Sequence, residues 1–417
     1  MTTNLHSVRS AAWERTRIWT WRVGVALYVA VAAIRAKIIF EGGTTTALTA
    51  LQFGVILIVI ATTVVLRRTG PLRRVDISLV CALAAFTVLQ LATWPWSADV
   101  EASRSQALIL LLMAGFLVVT YCLRWATVAA ARGDLVFAFA LVCVLQTIGL
   151  TAYLLGAEWA SAGYGRFVGV YTNANFAGMV SAFVLPLSIY FVRFLKGSAR
   201  GLVLAGSAVL LATLGLSLSR GAFVACTAGI VIALIFLVRK LWFTIGILVA
   251  GAITGGGLTL VLFALRNTAI DVTLDPAAAD PSSGRLDLAA VLLESWSHSP
   301  IFGIGYRAST SVTDGLEAHN IYLSVLVETG IVGALAFAAL IVSIGIAGPR
   351  RGISAIAAGG AVSVAVSETT ESALFGWGAP SAIVAWIVVL AFAALGRLQL
   401  DSRPAPQLED DGGSPRS

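Results

Sequence analysis

The sequence predicts an all-α polytopic membrane protein with about twelve transmembrane helices, and three observations carry that prediction. Of the 417 residues, 58% are hydrophobic and only 12% are charged, about half the charged share of a soluble domain. Mean hydropathy is +0.91. Apolar runs of roughly 20 residues recur along the chain, the length a helix needs to cross a bilayer. The basic residues, finally, fall in alternate connections between those runs.

Spans are expected near 22–40, 47–66, 75–94, 106–123, 134–155, 173–194, 201–218, 221–238, 241–265, 319–346, 352–371 and 377–396. The expected organisation is a cytoplasmic N-terminal tail (1–21), nine spans (22–265), a large extracytoplasmic loop (266–318), three further spans (319–396) and a disordered cytoplasmic tail (397–417). The N-terminus is polar as far as Arg22 and lacks a small-residue cleavage site, so no cleavable signal peptide is expected.

Placing the N-terminus in the cytoplasm and alternating puts most of the 28 basic residues on the cytoplasmic side. Every cytoplasmic connection then carries at least two, the positive-inside pattern that orients membrane proteins. The exceptions are Arg35, Lys37, Arg104, Arg166, Arg220, Arg266, Arg285 and Arg307. Membrane insertion does not ask for these. The net charge of +7 is therefore mainly a topology signal, and a nucleic-acid partner is not expected. Cys81, Cys122, Cys143 and Cys226 lie in apolar runs without metal-ligand or redox spacing and read as small buried hydrophobes.

Two outer segments are long enough to have structure. Gly156–Thr172 is rich in glycine and aromatics. The segment 266–318 begins with Asp, Pro and Ser turns, then places Leu288, Val291, Leu292, Leu293 and Trp296 at helical spacing. A short amphipathic helix on the outer membrane boundary is expected there, with Ser283 as a candidate cap.

The residues with useful chemistry cluster on the outer side. Arg220 is nearly the whole connection between spans seven and eight. It reads either as an arginine snorkelling to headgroups or as a phosphate clamp, since a guanidinium pairs two oxygens at once. Arg285 opens the amphipathic helix and reads as a phosphate ligand or as a salt-bridge partner of Asp287. Arg166 stands in the glycine-rich loop with the same two readings. Arg35 and Lys37 end the first span as interfacial anchors.

His319, beside Asn320, is the last group with proton-transfer chemistry before a long apolar run. It reads as a polar helix cap or as a general base, which the positive end of a helix would keep neutral. Glu328 lies inside that run, as a functional carboxylate or a packing partner. Glu368 and Glu371 close span eleven and are placed to pair with the arginines or to hold an acceptor. Three histidines without a metal-binding motif do not suggest a metal, and no nucleotide-binding loop is present.

These residues resemble the O-antigen ligase family, which shares its fold with O-antigen polymerases and teichuronic acid ligases. The most specific match is His319-Asn-Ile-Tyr-Leu followed by Glu328-Thr-Gly330 and Gly333. Ser219-Arg-Gly-Ala222, Ser283-Gly-Arg285 and Pro300-Ile-Phe-Gly-Ile-Gly305 are further matches. Gly165-Arg-Phe-Val-Gly169 with Asn173-Ala-Asn175 is similar to a Gly…Asn-Pro-Asn segment, with Ala174 in place of the proline.

The resemblance implies a GT-C-like, inverting, metal-independent glycosyltransferase with no cofactor. Its donor would be a glycan on a polyprenyl (undecaprenyl) pyrophosphate, and its acceptor a lipid or cell-wall hydroxyl. The implied location is a bacterial inner membrane, with the active site on the extracytoplasmic face. His319 would be the catalytic base, and Arg220 and Arg285 the pyrophosphate ligands. Arg166, Asn173, Asn175, Asn320, Tyr322 and Glu328 would be further substrate contacts. A polymerase of the same fold and a lipid-linked sugar transporter are the alternative readings. The second is opposed by the lack of basic counterparts in the inner halves of the spans.

Overall fold

The computed structural model describes residues 2–40, 45–66, 77–125, 127–237, 246, 250, 257, 284–347, 353–372, 374–376 and 379–401. The expected ninth span, Ser283 and most of the C-terminal tail lie outside these residues. Among the described residues the chain is almost entirely helical, and ten helices are long and apolar enough to cross a membrane.

The helices are α1 (Thr2–Phe40), α2 (Thr46–Val65), α3 (Ile77–Ala92), α4 (Val100–Val119), α5 (Val128–Leu154), α6 (Ala174–Phe194), α7 (Gly197–Ser217) and α8 (Arg220–Leu237). After the undescribed stretch come α9 (Arg285–Ser297), α10 (Ile321–Ala347), α11 (Ile353–Ser367) and α12 (Pro380–Asp401). A two-residue ladder pairs β1 (Ser161–Ala162) with β2 (Arg166–Phe167) in the expected glycine-rich segment.

The first helix begins well before Arg22, where the sequence suggested a tail. Its polar first half is held to the bundle: Arg17 donates to the Leu123 carbonyl at 3.4 Å and Arg22 pairs with Asp134 of α5 at 2.9 Å. At the same end a π-helical turn (Thr120–Arg124) continues α4 and delivers the fully buried Arg124 to Asp134 at 2.9 Å. Lys37, at the far end of α1, is more than a membrane anchor, because its ammonium donates to the Trp159 carbonyl at 2.6 Å.

The last span is the inner one. The membrane-length part of α12 is almost wholly buried, around Trp386. The Gly-, Ala- and Ser-rich α11 packs beside it and beside α8, where Gly229 and Gly359 face each other with no room for a side chain on either. Small residues let helices approach closely in lipid, where no hydrophobic force drives them together. Of the cysteines, Cys226 is buried, Cys122 and Cys143 are half-buried and Cys81 is exposed on the outside of the bundle. The expectation of four buried thiols thus holds for one: an apolar run in a membrane protein turns one face outward, to where lipid lies.

The expected span from His319 is one helix by sequence and two in space. α10 breaks at Gly330, which adopts φ 64° and ψ −166°. The segment Pro300–Gly305 fits into the break. Ile304 and Gly305 donate N–H bonds to the carbonyls of Val327 and Glu328 at 3.0 and 2.9 Å. Ile331 and Val332 donate to the carbonyls of Pro300 and Ile301 at 2.9 and 3.2 Å. Irregular backbone at membrane depth survives only when its polar groups find such partners. Glycine is required on both sides of the contact: a Cβ on Gly330 would strike Ile301, and one on Gly303 would strike the Glu328 backbone.

Candidate active site

The site lies at the end of the bundle where α6, α8 and α10 begin and α11 finishes. The polar residues there come from four distant stretches of sequence and meet on one carboxylate, Glu371.

Glu371 follows the α11 C-terminal turn and its side chain is 2% exposed. Its Oε2 lies 2.8 Å from His319 Nδ1. Its Oε1 accepts from the Arg285 guanidinium at 2.8 Å and from Asn175 Nδ2 at 2.6 Å. Burial of a carboxylate is costly unless hydrogen bonds and opposite charge compensate it, and these three partners supply both.

Each partner is placed by its own local structure. Asn173 caps α6, its Oδ1 accepting from the Asn175 amide at 2.6 Å, and so aims Asn175 at Glu371. Asn175 Oδ1 accepts from Arg166, whose Nε also donates to the Ser217 carbonyl at 2.9 Å. Arg166 therefore ties the end of α7 to the start of α6. Arg285 opens α9 behind Gly284, which takes the left-handed N-cap position. Leu292 on this helix is buried against Ala318 and Val327, while Leu286, Val291 and Leu293 remain exposed.

His319 has φ 48°, a left-handed conformation uncommon outside glycine. It precedes α10, which Asn320 caps by accepting from the Leu323 amide at 3.1 Å. The sequence argued that the helix start keeps the imidazole neutral. The structure corrects this. The Glu371 hydrogen bond, aided by the Glu371 charge, raises the His319 pKa above its ordinary 6.5, against burial and the Arg285 charge. A carboxylate at 2.8 Å outweighs the partial charge of a helix end, which is about half an elementary charge. With Nδ1 turned to Glu371, the neutral ring carries its proton on Nδ1 and its lone pair on Nε2.

Arg220 is the first residue of α8. Its neighbour Gly221 packs directly against Thr370, so the head of α8 abuts the turn that carries Glu371. Arg220 thus stands at the same end as His319 and Arg285. Tyr322 donates to the Ala365 carbonyl at 2.9 Å and joins α10 to α11. Glu328 does not join the His319 cluster: it is buried and accepts from Ser309 Oγ at 2.6 Å. Glu368 likewise turns inward, accepting from the Leu374 amide at 3.1 Å. Among the described residues, no three His, Cys, Asp or Glu side chains converge as a metal-ligand group.

Glu371 is the residue whose centrality the sequence did not show. It was legible as a possible arginine partner; its contact with His319, 52 residues away, was not.

Comparison with known families bears on the same residues. Residues 205–338 match a family model described as O-antigen ligase. The matched stretch contains Arg220, Arg285, His319 and Glu328, and lacks Arg166, Asn175 and Glu371. No curated protein matches the chain significantly. Residues 205–338 of this multi-helix membrane protein are thus similar to the O-antigen ligase family, and that match, with a polar cluster at one end of the bundle, supports a glycan-handling membrane enzyme of the ligase or polymerase type.

Proposed function

We propose that this protein is a glycan ligase of the bacterial inner membrane. It transfers a glycan from a polyprenyl pyrophosphate to an acceptor hydroxyl at the extracytoplasmic face, with inversion and without a metal. The single observation that carries the reading is the hydrogen bond between His319 and Glu371, with Arg285 on the same carboxylate.

The acceptor oxygen attacks the anomeric carbon as the bond from that carbon to the pyrophosphate oxygen breaks. His319 Nε2 takes the acceptor proton, and Glu371 stabilises the imidazolium that forms. Negative charge grows on the departing pyrophosphate. Arg285, a third exposed, and Arg220 are the cations at this end that offset it. Asn175 and Arg166 hold Glu371 in place. The topology that suits this chemistry has twelve spans, with the ninth over 241–265, a GT-C-like arrangement and both termini in the cytoplasm.

The test is transfer by purified protein in detergent from undecaprenyl-pyrophosphate glycan to a panel of acceptors. His319→Ala, Arg220→Ala and Arg285→Ala run in parallel. Glycosylated acceptor with release of undecaprenyl pyrophosphate, lost in the variants, supports the ligase. A ladder of longer carrier-linked chains shows a polymerase instead. Carrier-linked glycan crossing a vesicle membrane without any covalent product shows a transporter and sinks the proposal.

A further inference from the structure

α1 and α2 touch at Gly24, where a Cβ would strike the Val59 side chain. Beside this contact the two helices leave a groove of about 370 Å³, walled from Trp19 to Leu27 on α1 and from Val55 to Val59 on α2. Both walls belong to membrane-length helices, so the groove lies at bilayer depth. Val23, Leu27 and Ile58 are about half exposed along it, so it opens outward from the bundle, to where lipid lies. Apart from the Trp19 indole, its lining offers one polar side chain, Thr20. The Thr20 hydroxyl donates to the Thr16 carbonyl at 2.9 Å, so nothing in the groove asks for a polar ligand.

The two ends of the groove differ. At one end Trp13 and Trp19 are more than half exposed, and indoles settle at the membrane–water boundary. Arg15 stands one turn from Trp19 on the same side of α1. It is exposed and forms no ion pair among the described residues. Close by, Arg17, Arg22 and Arg124 share two carboxylates, Glu14 and Asp134. Nε and Nη1 of Arg124 are buried without a hydrogen bond. Positive charge is therefore in excess at this end, which is the end away from the candidate active site: Arg22 bonds Asp134 near the start of α5, and the other end of α5 leads to Arg166. The groove closes at Leu27, within the membrane. From Trp19 to Leu27 the helix rises about 12 Å, close to half of the roughly 30 Å hydrocarbon core.

We infer that this groove binds an anionic phospholipid of the leaflet opposite the candidate active site, with one acyl chain laid along Gly24 and Val59 and the headgroup phosphate at Arg15. A groove half a bilayer deep suits a chain that belongs to one leaflet. The excess of positive charge at its mouth selects an anionic headgroup over a zwitterionic one. A guanidinium meets a phosphate through two parallel hydrogen bonds, which fixes the headgroup as well as attracting it. The chain fills a space that the two helices leave open and restores the dispersion contacts missing there. The inference stands on α1 and α2 and does not depend on the ligase reading.

The experiment is native mass spectrometry of the full-length protein in detergent, titrated with dioleoylphosphatidylglycerol or with dioleoylphosphatidylcholine. The two lipids share their chains and differ in charge. Wild type is expected to bind its first phosphatidylglycerol about fivefold more tightly than phosphatidylcholine, the worth of one basic residue at an anionic surface. Arg15→Gln changes an exposed side chain and is expected to bring the two affinities together. Leu27→Trp fills the groove from its open side. It is expected to weaken the first binding of either lipid about tenfold, the effect of about two methylenes left unburied, with the melting temperature in lipid-free detergent unchanged. Equal affinities in wild type, a preference retained in Arg15→Gln, or unchanged binding in Leu27→Trp overturns the inference. So does displacement of phosphatidylglycerol by equimolar undecaprenyl phosphate, which would seat a polyprenyl chain in the groove. A wild-type dimer that Leu27→Trp dissociates, read by light scattering, would seat a second copy there and overturns it too.

Discussion

His319 Nδ1 and Glu371 Oε2 stand 2.8 Å apart, and the same carboxylate binds Arg285 through its other oxygen. A base is thereby coupled to a cation through one shared anion. The consequence is a testable pH dependence. Glu371 raises the His319 pKa above 6.5, so the protonated form, which on the proposed role cannot act as the base, persists to higher pH than for a free imidazole. Activity is expected to rise with pH through that raised value. Glu371→Gln removes the charge, and the acid limb of kcat/KM is expected to shift to lower pH while the plateau falls. His319→Ala should cost about 10²- to 10⁴-fold in kcat/KM at every pH, the usual worth of a positioned base. A Glu371→Gln profile with an unmoved acid limb would show that the pair does not set the titration.

Asn175 bridges Arg166 and Glu371 through both ends of its amide, at 2.8 and 2.6 Å. Asn175→Ala removes one hydrogen bond to each charged group. At about 1.5–3 kcal/mol per such bond, activity should fall by at least about tenfold. Asn175→Asp is the sharper comparison. It preserves the shape but sets a second carboxylate against Glu371, and is expected to be worse than alanine. Were packing the only role of Asn175, the aspartate variant would be the milder one in the same transfer assay.

In the proposed reaction Arg220 and Arg285 would supply the fixed positive charge that a divalent ion could otherwise bring to the pyrophosphate. Turnover by purified protein is therefore expected to continue in EDTA at the untreated rate. A loss of activity restored by added Mg²⁺ or Mn²⁺ would require a different account of leaving-group stabilisation.

The helical fold was legible because an apolar run of about 20 residues has few alternatives in a membrane. Arg285 and Arg220 stood out as charges that membrane insertion does not need, and His319 as the last proton-transfer group before a long apolar run. The relation of Glu371 to His319 was hidden because it depends on how the end of α11 packs over the start of α10, which periodicity does not encode. The break in α10 was hidden differently. Pro300–Gly305 and Glu328–Gly330 were visible as two separate motifs, yet they are bound by backbone groups, which every residue carries and no side-chain pattern reveals.

Those two motifs make a direct prediction. Gly330 needs φ 64° and lies against the Ile301 carbonyl, so Gly330→Ala combines a strained backbone with a collision. It is expected to lower the melting temperature of the purified protein and to abolish transfer, because His319 sits just before the same helix. The magnitude should exceed the roughly 1 kcal/mol typical of a single substitution. A wild-type melting curve for Gly330→Ala would mean that α10 tolerates a continuous helix there.

The last prediction concerns the end of the bundle opposite the site. Asp134 is fully buried and accepts from Arg22, from the fully buried Arg124 and from the Trp125 indole, at 2.9, 2.9 and 3.0 Å. Here one carboxylate pairs with two guanidinium groups, so its loss leaves both without that anion. Removing one partner of a buried pair costs about 3–5 kcal/mol, more than the pair contributes over a well-packed apolar substitute. Asp134→Ala is therefore expected to lower the yield and melting temperature steeply. Arg124→Met combined with Asp134→Leu should recover part of that loss. Transfer per folded molecule should match wild type in the double variant, since the cluster lies at the far end of α5 from Arg166 and Glu371. Equal melting curves for wild type and Asp134→Ala would show that water or headgroups already solvate these arginines, and that the cluster does not hold α1, α4 and α5 together.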